Sequence, residues 1–218
     1  MEKMVLSAHE KEFFRETLLN WGKRNYVCFP WRNTSNKWHA LAVEVMLQRT
    51  KAEQVLPVYE LFTQKYATPD LYLQDKNSNI FMTLGLPERE KNLKKLAEIV
   101  ANNTIPLEKN ELLKLPGVGN YIAAAFRSLH MNIKDTIIDS NVVRLYGRFW
   151  GFETNPETRR KKWFIELAEN LIPADRHKDY NYSLLDFTRA VCKPRPACSI
   201  CPLQTKCSYY HNNIQLLK

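Results

Sequence analysis

The sequence contains no long apolar run. None of its segments approaches the roughly 20 consecutive apolar residues of a membrane-spanning helix, and residues 1–14 lack the apolar core of a signal peptide. We therefore expect a soluble, intracellular, cytoplasmic protein. Internal repeats and low-complexity tracts are also missing, so nothing in the sequence indicates a long disordered linker.

Signals for paired strands are scarce. No two alternating runs are joined by Asn-Gly or Asp-Gly, and only Ile137 and Ile138 with their neighbours resemble a strand. Helical periodicity dominates instead, because apolar residues recur at i, i+3, i+4 and i+7 in two segments: Leu93, Leu96, Ala97 and Val100, and then Phe164, Leu167, Ala168, Leu171 and Ile172. Further helices are predicted at residues 8–22 and 39–50. The expected fold class is all-α.

Acidic residues are outnumbered by basic ones. The chain has 32 Lys and Arg against 23 Asp and Glu, a net charge of +9, and its isoelectric point is about 9.3. This balance favours a polyanionic partner, above all a nucleic acid, over acidic metabolites. Charge alone also fits a basic protein that binds no polymer.

Only five cysteines are present, and Cys28 stands apart from the other four. Those four follow the spacing Cys192-x5-Cys198-x2-Cys201-x5-Cys207. In a reducing compartment such a cluster indicates metal binding before disulfide formation. Both a [4Fe-4S] cluster and a structural zinc site remain open, and the single CxxC favours the iron-sulfur cluster, since zinc sites often pair two such knuckles.

A glycine turn separates two predicted helices at Pro116-Gly117-Val118-Gly119. Glycine permits positive φ and lets another backbone come close, and the helix that follows, from Asn120, begins with unpaired N–H groups and the positive end of its dipole. Such a turn is suited to binding a DNA phosphate, together with a monovalent cation held by the hairpin carbonyls. The alternative is an ordinary helix-helix connection.

Two carboxylates stand out. Glu44 lies in an otherwise apolar predicted helix, where burial suits it to general-acid work or to holding a water. The alternative is a surface ion pair with Arg49 or Lys51. Asp139 precedes Asn141 in a position typical of a helix N-cap.

Several of these motifs together resemble one superfamily. With Leu115–Tyr121 (LPGVGNY), Ile138–Val142 (IDSNV) and the cysteine tail, nearly the whole chain resembles the helix-hairpin-helix DNA glycosylases of the endonuclease III and adenine glycosylase type. Phe29–Arg32 (FPWR), Val43–Thr50 (VEVMLQRT), and Leu84-Gly85-Leu86 followed by Arg89 are similar to the adenine and thymine mismatch branch. The five residues between Cys192 and Cys198 are one fewer than the six that this family usually has there.

The resemblance implies two helical domains. Residues 28–135 would form a six-helix domain with the helix-hairpin-helix, and residues 1–27 plus 136–218 would form a second domain carrying a [4Fe-4S] cluster. Double-stranded DNA with a mismatched or damaged base would bind in the cleft between them. We expect a monomer, associated with the nucleoid if the source is prokaryotic.

The resemblance also implies roles for individual residues. Asp139 would stabilise the positive charge that develops on the sugar as the N-glycosidic bond breaks. Glu44 matches the residue that protonates the departing base in adenine enzymes, and in a thymine enzyme it would orient water or bind the flipped base. Tyr121 replaces the Schiff-base lysine of bifunctional relatives, so an intrinsic lyase activity is not expected.

The remaining candidate residues are expected to contact DNA without taking part in the reaction. Gln48 matches a residue that wedges into the duplex beside the extruded base, and Arg49 and Lys51 are candidates for backbone or orphan-base contacts, or else lie on an exposed helix face. At the hairpin, the candidate DNA-binding residues are Pro116, Gly117, Val118, Gly119 and Asn120.

The last expectation concerns which base is excised. Adenine glycosylases usually continue into a C-terminal domain that reads 8-oxoguanine, whereas 11 residues follow Cys207 here. Together with the GLPERE segment at 85–90, this favours T or U opposite G. An adenine glycosylase acting opposite G or 8-oxoguanine stays open. A non-catalytic repair-accessory module is the third alternative, and the presence of both Glu44 and Asp139 argues against it.

Overall fold

The computed structural model describes residues 6–85 and 87–213, so Leu86 of the resemblance motif lies outside the described residues. Within these ranges the structure is helical and contains no strand, which confirms the predicted all-α class. The α-helices described are α1 (Ala8–Asn25), α2 (Lys37–Met46), α3 (Ala52–Lys65), α4 (Pro69–Gln74), α5 (Pro87–Ala101), α6 (Lys109–Leu112), α7 (Asn120–Ala125), α8 (Ser140–Trp150), α9 (Lys162–Leu171), α10 (His177–Ala190) and α11 (Ser208–Asn213).

The strand-like reading of Ile137 and Ile138 is wrong. Both residues fall in a non-helical connection that leads into α8, and no described segment pairs with it. A strand needs a partner to satisfy its backbone hydrogen bonds, and the apolar character of Ile137 reflects complete burial instead. None of the helices described has the length and apolar character to cross a membrane.

The start of α1 follows from its sequence. The hydroxyl of Ser7 accepts a hydrogen bond from the backbone N–H of Glu10 at 3.2 Å, and the Glu10 carboxylate accepts one from the backbone N–H of Ser7 at 3.0 Å. This reciprocal capping box satisfies two N–H groups that the helix itself leaves unpaired. The helix then runs three residues beyond the predicted end at 22.

The helix predicted at 39–50 begins earlier and ends earlier. The side-chain oxygen of Asn36 caps α2 by accepting hydrogen bonds from the backbone N–H groups of Trp38 and His39. The helix stops at Met46, and Arg49 has a φ of 55°, in the left-handed region. A right-handed helix cannot pass through such a residue, so residues 47–50 form a turn that sets Gln48 and Arg49 apart from the helix.

The chain divides into two compact units, one made of Cys28–Ile133 and the other of Met1–Val27 with Lys134–Lys218. In the described part of the first unit, α2 is the central helix, because every residue from Trp38 to Met46 is buried. A helix that is apolar all round is expected to be enclosed by its neighbours. The core of the second unit joins α1, α8, α9 and α10, with Phe14 and Tyr146 in edge-to-face contact at 5.6 Å.

The helix after the glycine turn changes its winding. At Phe126, α7 passes directly into a π-helical turn, Phe126–His130, which ends where the backbone N–H of Met131 donates to the carbonyl of Phe126. Single π turns inside helices occur frequently at functional sites. This turn packs against α2 and directs His130 toward it.

Candidate active site and DNA-binding surface

The glycine turn has one residue in the left-handed region. Gly117 has a φ of 76°, and a Cβ placed on it would lie 3.1 Å from the Cβ of Asn92. Gly119 has a φ of −98°, so of the two glycines only Gly117 uses the positive φ that glycine permits. No atom lies within 4 Å of a Cβ built on Gly119, which leaves the start of α7 open to an approaching group.

The residues around these glycines differ in exposure. Val118 is buried and anchors the turn, with its backbone N–H donating to the carbonyl of Leu115 at 3.1 Å. Gly117, Gly119 and Asn120 are exposed, and Pro116 is half-buried. Exposed backbone at a helix start is what an anion contact requires.

The structure brings the Gln48 turn to the hairpin. The side-chain amide of Gln48 donates to the carbonyl of Gly117 at 3.3 Å, although the two residues are 69 positions apart. The candidate wedge and the candidate phosphate-binding turn therefore form one surface, which we call the hairpin patch: residues 48–50, Arg89 and residues 116–120.

Two guanidinium groups lie in this hairpin patch. Arg89 donates to the hydroxyl of Thr50 at 3.0 Å, and its pKa is lowered by burial and then by the nearby positive charge of Arg49. Arg49 is exposed and belongs to a turn, not to the exposed helix face that was the alternative reading. Like charges held this close are stabilised by an anion, so the pair is suited to a phosphate.

Glu44 is buried in the last turn of α2, with 2% of its surface exposed. Its Oε1 lies 2.8 Å from Nε2 of His130, at the end of the π-helical turn. The alternative of a surface pair with Arg49 or Lys51 is wrong, because Glu44 points inward and its described hydrogen bond is to His130. Sequence reasoning did not single out His130, and no local pattern joins it to a residue 86 positions earlier.

Tyr121 occupies the first turn of α7, next to Asn120, and its side chain is half-buried. A phenol there has no amine that could attack the sugar. Since α2 and α7 pack against each other, Tyr121 and Glu44 lie on adjacent helices of the same unit.

Asp139 is the N-cap of α8, as its position predicted. Its Oδ1 accepts hydrogen bonds from the backbone N–H groups of Asn141 and Val142 at 2.9 and 2.8 Å, and its Oδ2 accepts one from the side-chain amide of Asn141 at 2.6 Å. Three donors surround a half-buried carboxylate. The orientation of the Asp139 side chain is therefore fixed.

The four clustered cysteines surround one small cavity. Cys192, Cys198, Cys201 and Cys207 all line a space of about 20 Å³ together with Leu145, Arg148 and Tyr209. All four thiols are free. Burial raises the pKa of the Cys201 thiol to about 12, and the neighbouring Cys207, Cys192 and Cys198 add to that rise. Four thiols that perturb one another electrostatically lie close together.

Two arginines of α8 support this loop. The guanidinium of Arg144 donates to the carbonyl of Cys192 at 2.9 Å and to the side chain of Asn141, the residue that also donates to Asp139. Arg148 donates to the carbonyls of Lys193 and Pro194 and contacts the Cys192 sulfur at 3.6 Å. A spacing of four residues places both arginines on one face of α8, and this pattern is visible in the sequence although it belongs to none of the motifs above.

Four cysteine thiols are the donor set that a [4Fe-4S] cluster uses. Here the four line one cavity, and the guanidinium of Arg148 lies beside the Cys192 sulfur. Among the described residues, no group of three or more His, Cys, Asp or Glu side chains is arranged to hold a single metal ion.

Comparisons with known proteins agree with this geometry. No protein-family model matches the chain. A thymine/uracil-DNA glycosylase from Methanothermobacter thermautotrophicus is 34% identical, and the alignment covers 92% of this chain and 95% of that protein. An adenine DNA glycosylase from Buchnera aphidicola subsp. Baizongia pistaciae is 30% identical over 92% of this chain and 59% of that protein.

A solved structure matches as well. The structure of a thermostable thymine-DNA glycosylase superposes with a TM-score of 0.86 at 33% identity, covering 93% of this chain and 97% of that one. The chain therefore belongs to the helix-hairpin-helix DNA glycosylases. Within that class, the thymine/uracil enzyme matches over nearly the full length of both proteins. Membership in this class of enzymes replaces the alternative of a non-catalytic accessory module.

Proposed function

We propose that this protein is a monofunctional DNA glycosylase that hydrolyses the N-glycosidic bond of T or U opposite G in double-stranded DNA, as a step of base excision repair. The observation that carries this function is the agreement between sequence and structure, since both comparisons match a thymine glycosylase over nearly the whole chain. The intact carboxylates Glu44 and Asp139 supply the groups that the reaction needs.

Asp139 acts through its charge. As the C1′–N1 bond breaks, its electron pair leaves with the base and positive charge builds up on the sugar. The three hydrogen bonds that Asp139 accepts fix the position of its carboxylate, so it stabilises this cation without having to reorganise.

Glu44 acts on the nucleophile. A water oxygen bonds to C1′, and the proton it loses passes to a Glu44 oxygen, while the departing pyrimidine anion takes a proton from solvent. The products are an abasic sugar with a hydroxyl at C1′ and the free base. Tyr121 offers no amine for a Schiff base, so the strand stays intact after the base has left.

DNA binding uses the hairpin patch. The open backbone at Gly119 and Asn120 and the paired guanidinium groups of Arg49 and Arg89 bind phosphates, whereas Gln48 fills the gap left by the extruded base. A monovalent cation at the hairpin carbonyls belongs to the same proposal. The expected cleft between two domains, the domain boundaries, the monomeric state and the nucleoid association stay predictions.

The cofactor is a [4Fe-4S] cluster held by Cys192, Cys198, Cys201 and Cys207. When bound, the cluster links the cysteine loops into one folded segment. Arg144 then links the folded cysteine segment to Asp139. It donates hydrogen bonds to the Cys192 carbonyl and to Asn141, whose side-chain amide donates to Asp139.

A base-release assay on four duplexes tests the function. Each duplex carries one G:T, G:U, G:A or 8-oxoguanine:A pair, and a fully matched duplex is the control. We expect release of T and U, with strand breaks that appear only after alkali treatment and no covalent complex trapped by borohydride.

Other outcomes of the same assay separate the alternatives. The adenine relative makes excision of A the second candidate, and release of A without release of T or U would establish it. Strand breaks without alkali, together with a trapped complex, would show that another amine forms a Schiff base. No release from any duplex would refute the proposed activity.

A further inference from the structure

His130 forms a buried pair with Glu44, although it belongs to none of the sequence motifs described above. The two side chains are 1% and 3% exposed, and Nε2 of His130 lies 2.8 Å from Oε1 of Glu44. The contact joins the last residue of the π-helical turn to the last turn of α2, so it is set by the packing of the two elements.

The other ring nitrogen of His130 defines the direction of this hydrogen bond. Nδ1 is buried, and no protein group in the described residues pairs with it. A proton on Nδ1 would leave a buried N–H donor without an acceptor, and buried N–H groups of this kind are rarer than buried acceptors without a donor. The neutral ring with its proton on Nε2 is therefore favoured, and Nε2–H donates to Glu44.

This direction decides what Glu44 can do. A neutral glutamic acid that donated its hydrogen bond to Nε2 would require the His130 proton on Nδ1, and an imidazolium also carries a proton there. Both place a donor where no described group accepts it. A carboxylate that accepts from Nε2–H avoids this cost and gains a charge-assisted hydrogen bond. Within the described residues no donor to Oε2 of Glu44 is found, so that oxygen is left for the reaction.

We propose that His130 is a positioning residue, which holds Glu44 as a hydrogen-bond acceptor with one oxygen occupied and the other directed to the attacking water. The proposal rests on the proposed function and deepens it. A Glu held as an acceptor suits the removal of T or U, whose bases need no protonation by Glu44, and does not suit a general acid that protonates adenine.

The hydrogen-bond direction can be measured on the wild-type protein. Long-range proton–nitrogen NMR of the 15N-labelled holoprotein distinguishes a protonated ring nitrogen from a bare one. We expect His130 to carry its proton on Nε2 alone, with assignment by comparison with His130→Gln. A proton on Nδ1, in either the other tautomer or the imidazolium, would overturn the proposal.

Single-turnover kinetics on a G:U duplex test the positioning role. His130→Leu keeps apolar volume but removes the N–H, and we expect the rate of excision to fall at least about tenfold while duplex affinity stays within about twofold. His130→Gln places an amide N–H near the position of Nε2 and should recover most of the lost rate. An unchanged rate in His130→Leu would contradict the proposal.

A double-mutant cycle separates positioning from folding. In a Glu44→Gln background there is no carboxylate to hold, so adding His130→Leu should change the remaining rate less than about twofold. An equal loss in both backgrounds would show that His130 supports the fold instead of Glu44. If the wild type releases no base at all, the proposed function fails, and the NMR result on the wild type still decides whether His130 donates to Glu44.

Discussion

At the scale of single residues, Asp139 has an observed structural task and a proposed chemical one. Its Oδ1 caps α8 through two backbone N–H groups, and its Oδ2 is bound by the side chain of Asn141. The proposed chemical task depends on negative charge near a cationic sugar, whereas capping depends on the hydrogen bonds. A substitution that removes only the charge therefore separates the two tasks.

Asp139→Asn makes this separation. Asparagine caps helices about as well as aspartate and has nearly the same size, so the melting temperature and the affinity for a G:U duplex should change little. The single-turnover rate of base release should fall by at least about a hundredfold, because the charge that stabilises the sugar is gone.

The control for Asp139→Asn makes the same chemical change elsewhere. Asp175→Asn removes a carboxylate whose side chain is 80% exposed, and its excision rate should equal that of the wild type. If Asp139→Asn retained the full rate, Asp139 would be a helix cap and no part of the mechanism.

At the scale of secondary structure, periodicity was a good guide to helices and a poor guide to their ends. The apolar repeats at Leu93 and Phe164 lie in α5 and α9, where one face of each helix is buried. The end of α2 could not be predicted, since the left-handed backbone at Arg49 belongs to a turn whose partner, Gly117, is distant in sequence. Such a contact exists only once the fold has formed.

The residues of the candidate site also fall into two groups, those that local sequence patterns predict and those that only the fold brings together. Glu44 and Asp139 could be found from the sequence, because a carboxylate inside an apolar helix and an N-cap before a helix are local patterns. His130 could not, because its role depends on a π-helical turn that brings it to α2. The pairing of Arg89 with Arg49 is likewise a product of packing.

The cysteine loop gives a prediction for one element. The purified protein should be brown, with broad visible absorption and about four irons per chain, because four thiolates surround one cavity. Cys201→Ser should lower the iron content, whereas Cys28→Ser, which alters an exposed cysteine outside the cluster, should retain it. Iron and zinc analysis of the wild type is the deciding measurement, and stoichiometric zinc without iron would refute the cluster.

At the scale of the whole molecule, the net charge of +9 acts together with the hairpin patch. The general charge attracts the duplex over a distance set by screening, and in the proposed binding mode the hairpin patch holds particular phosphates at close range. Both contributions are sequence-independent. Recognition of the mismatched base thus falls to the extrusion step, which is easiest where pairing is already weak.

The affinity for duplex DNA should therefore fall steeply with salt. Each phosphate contact releases counterions and contributes roughly 0.9 to the slope of log affinity against log salt concentration. Arg89→Gln should reduce the magnitude of this slope by roughly 0.9, which is the contribution of one phosphate contact, because Arg89 lies in the hairpin patch beside Arg49. Lys162→Gln removes an equal charge from a side chain that is 92% exposed on α9, and it should leave the slope unchanged. Equilibrium binding of a G:U duplex at several salt concentrations measures all three proteins, and a wild-type affinity that did not depend on salt would show that phosphate contacts are not what holds the DNA.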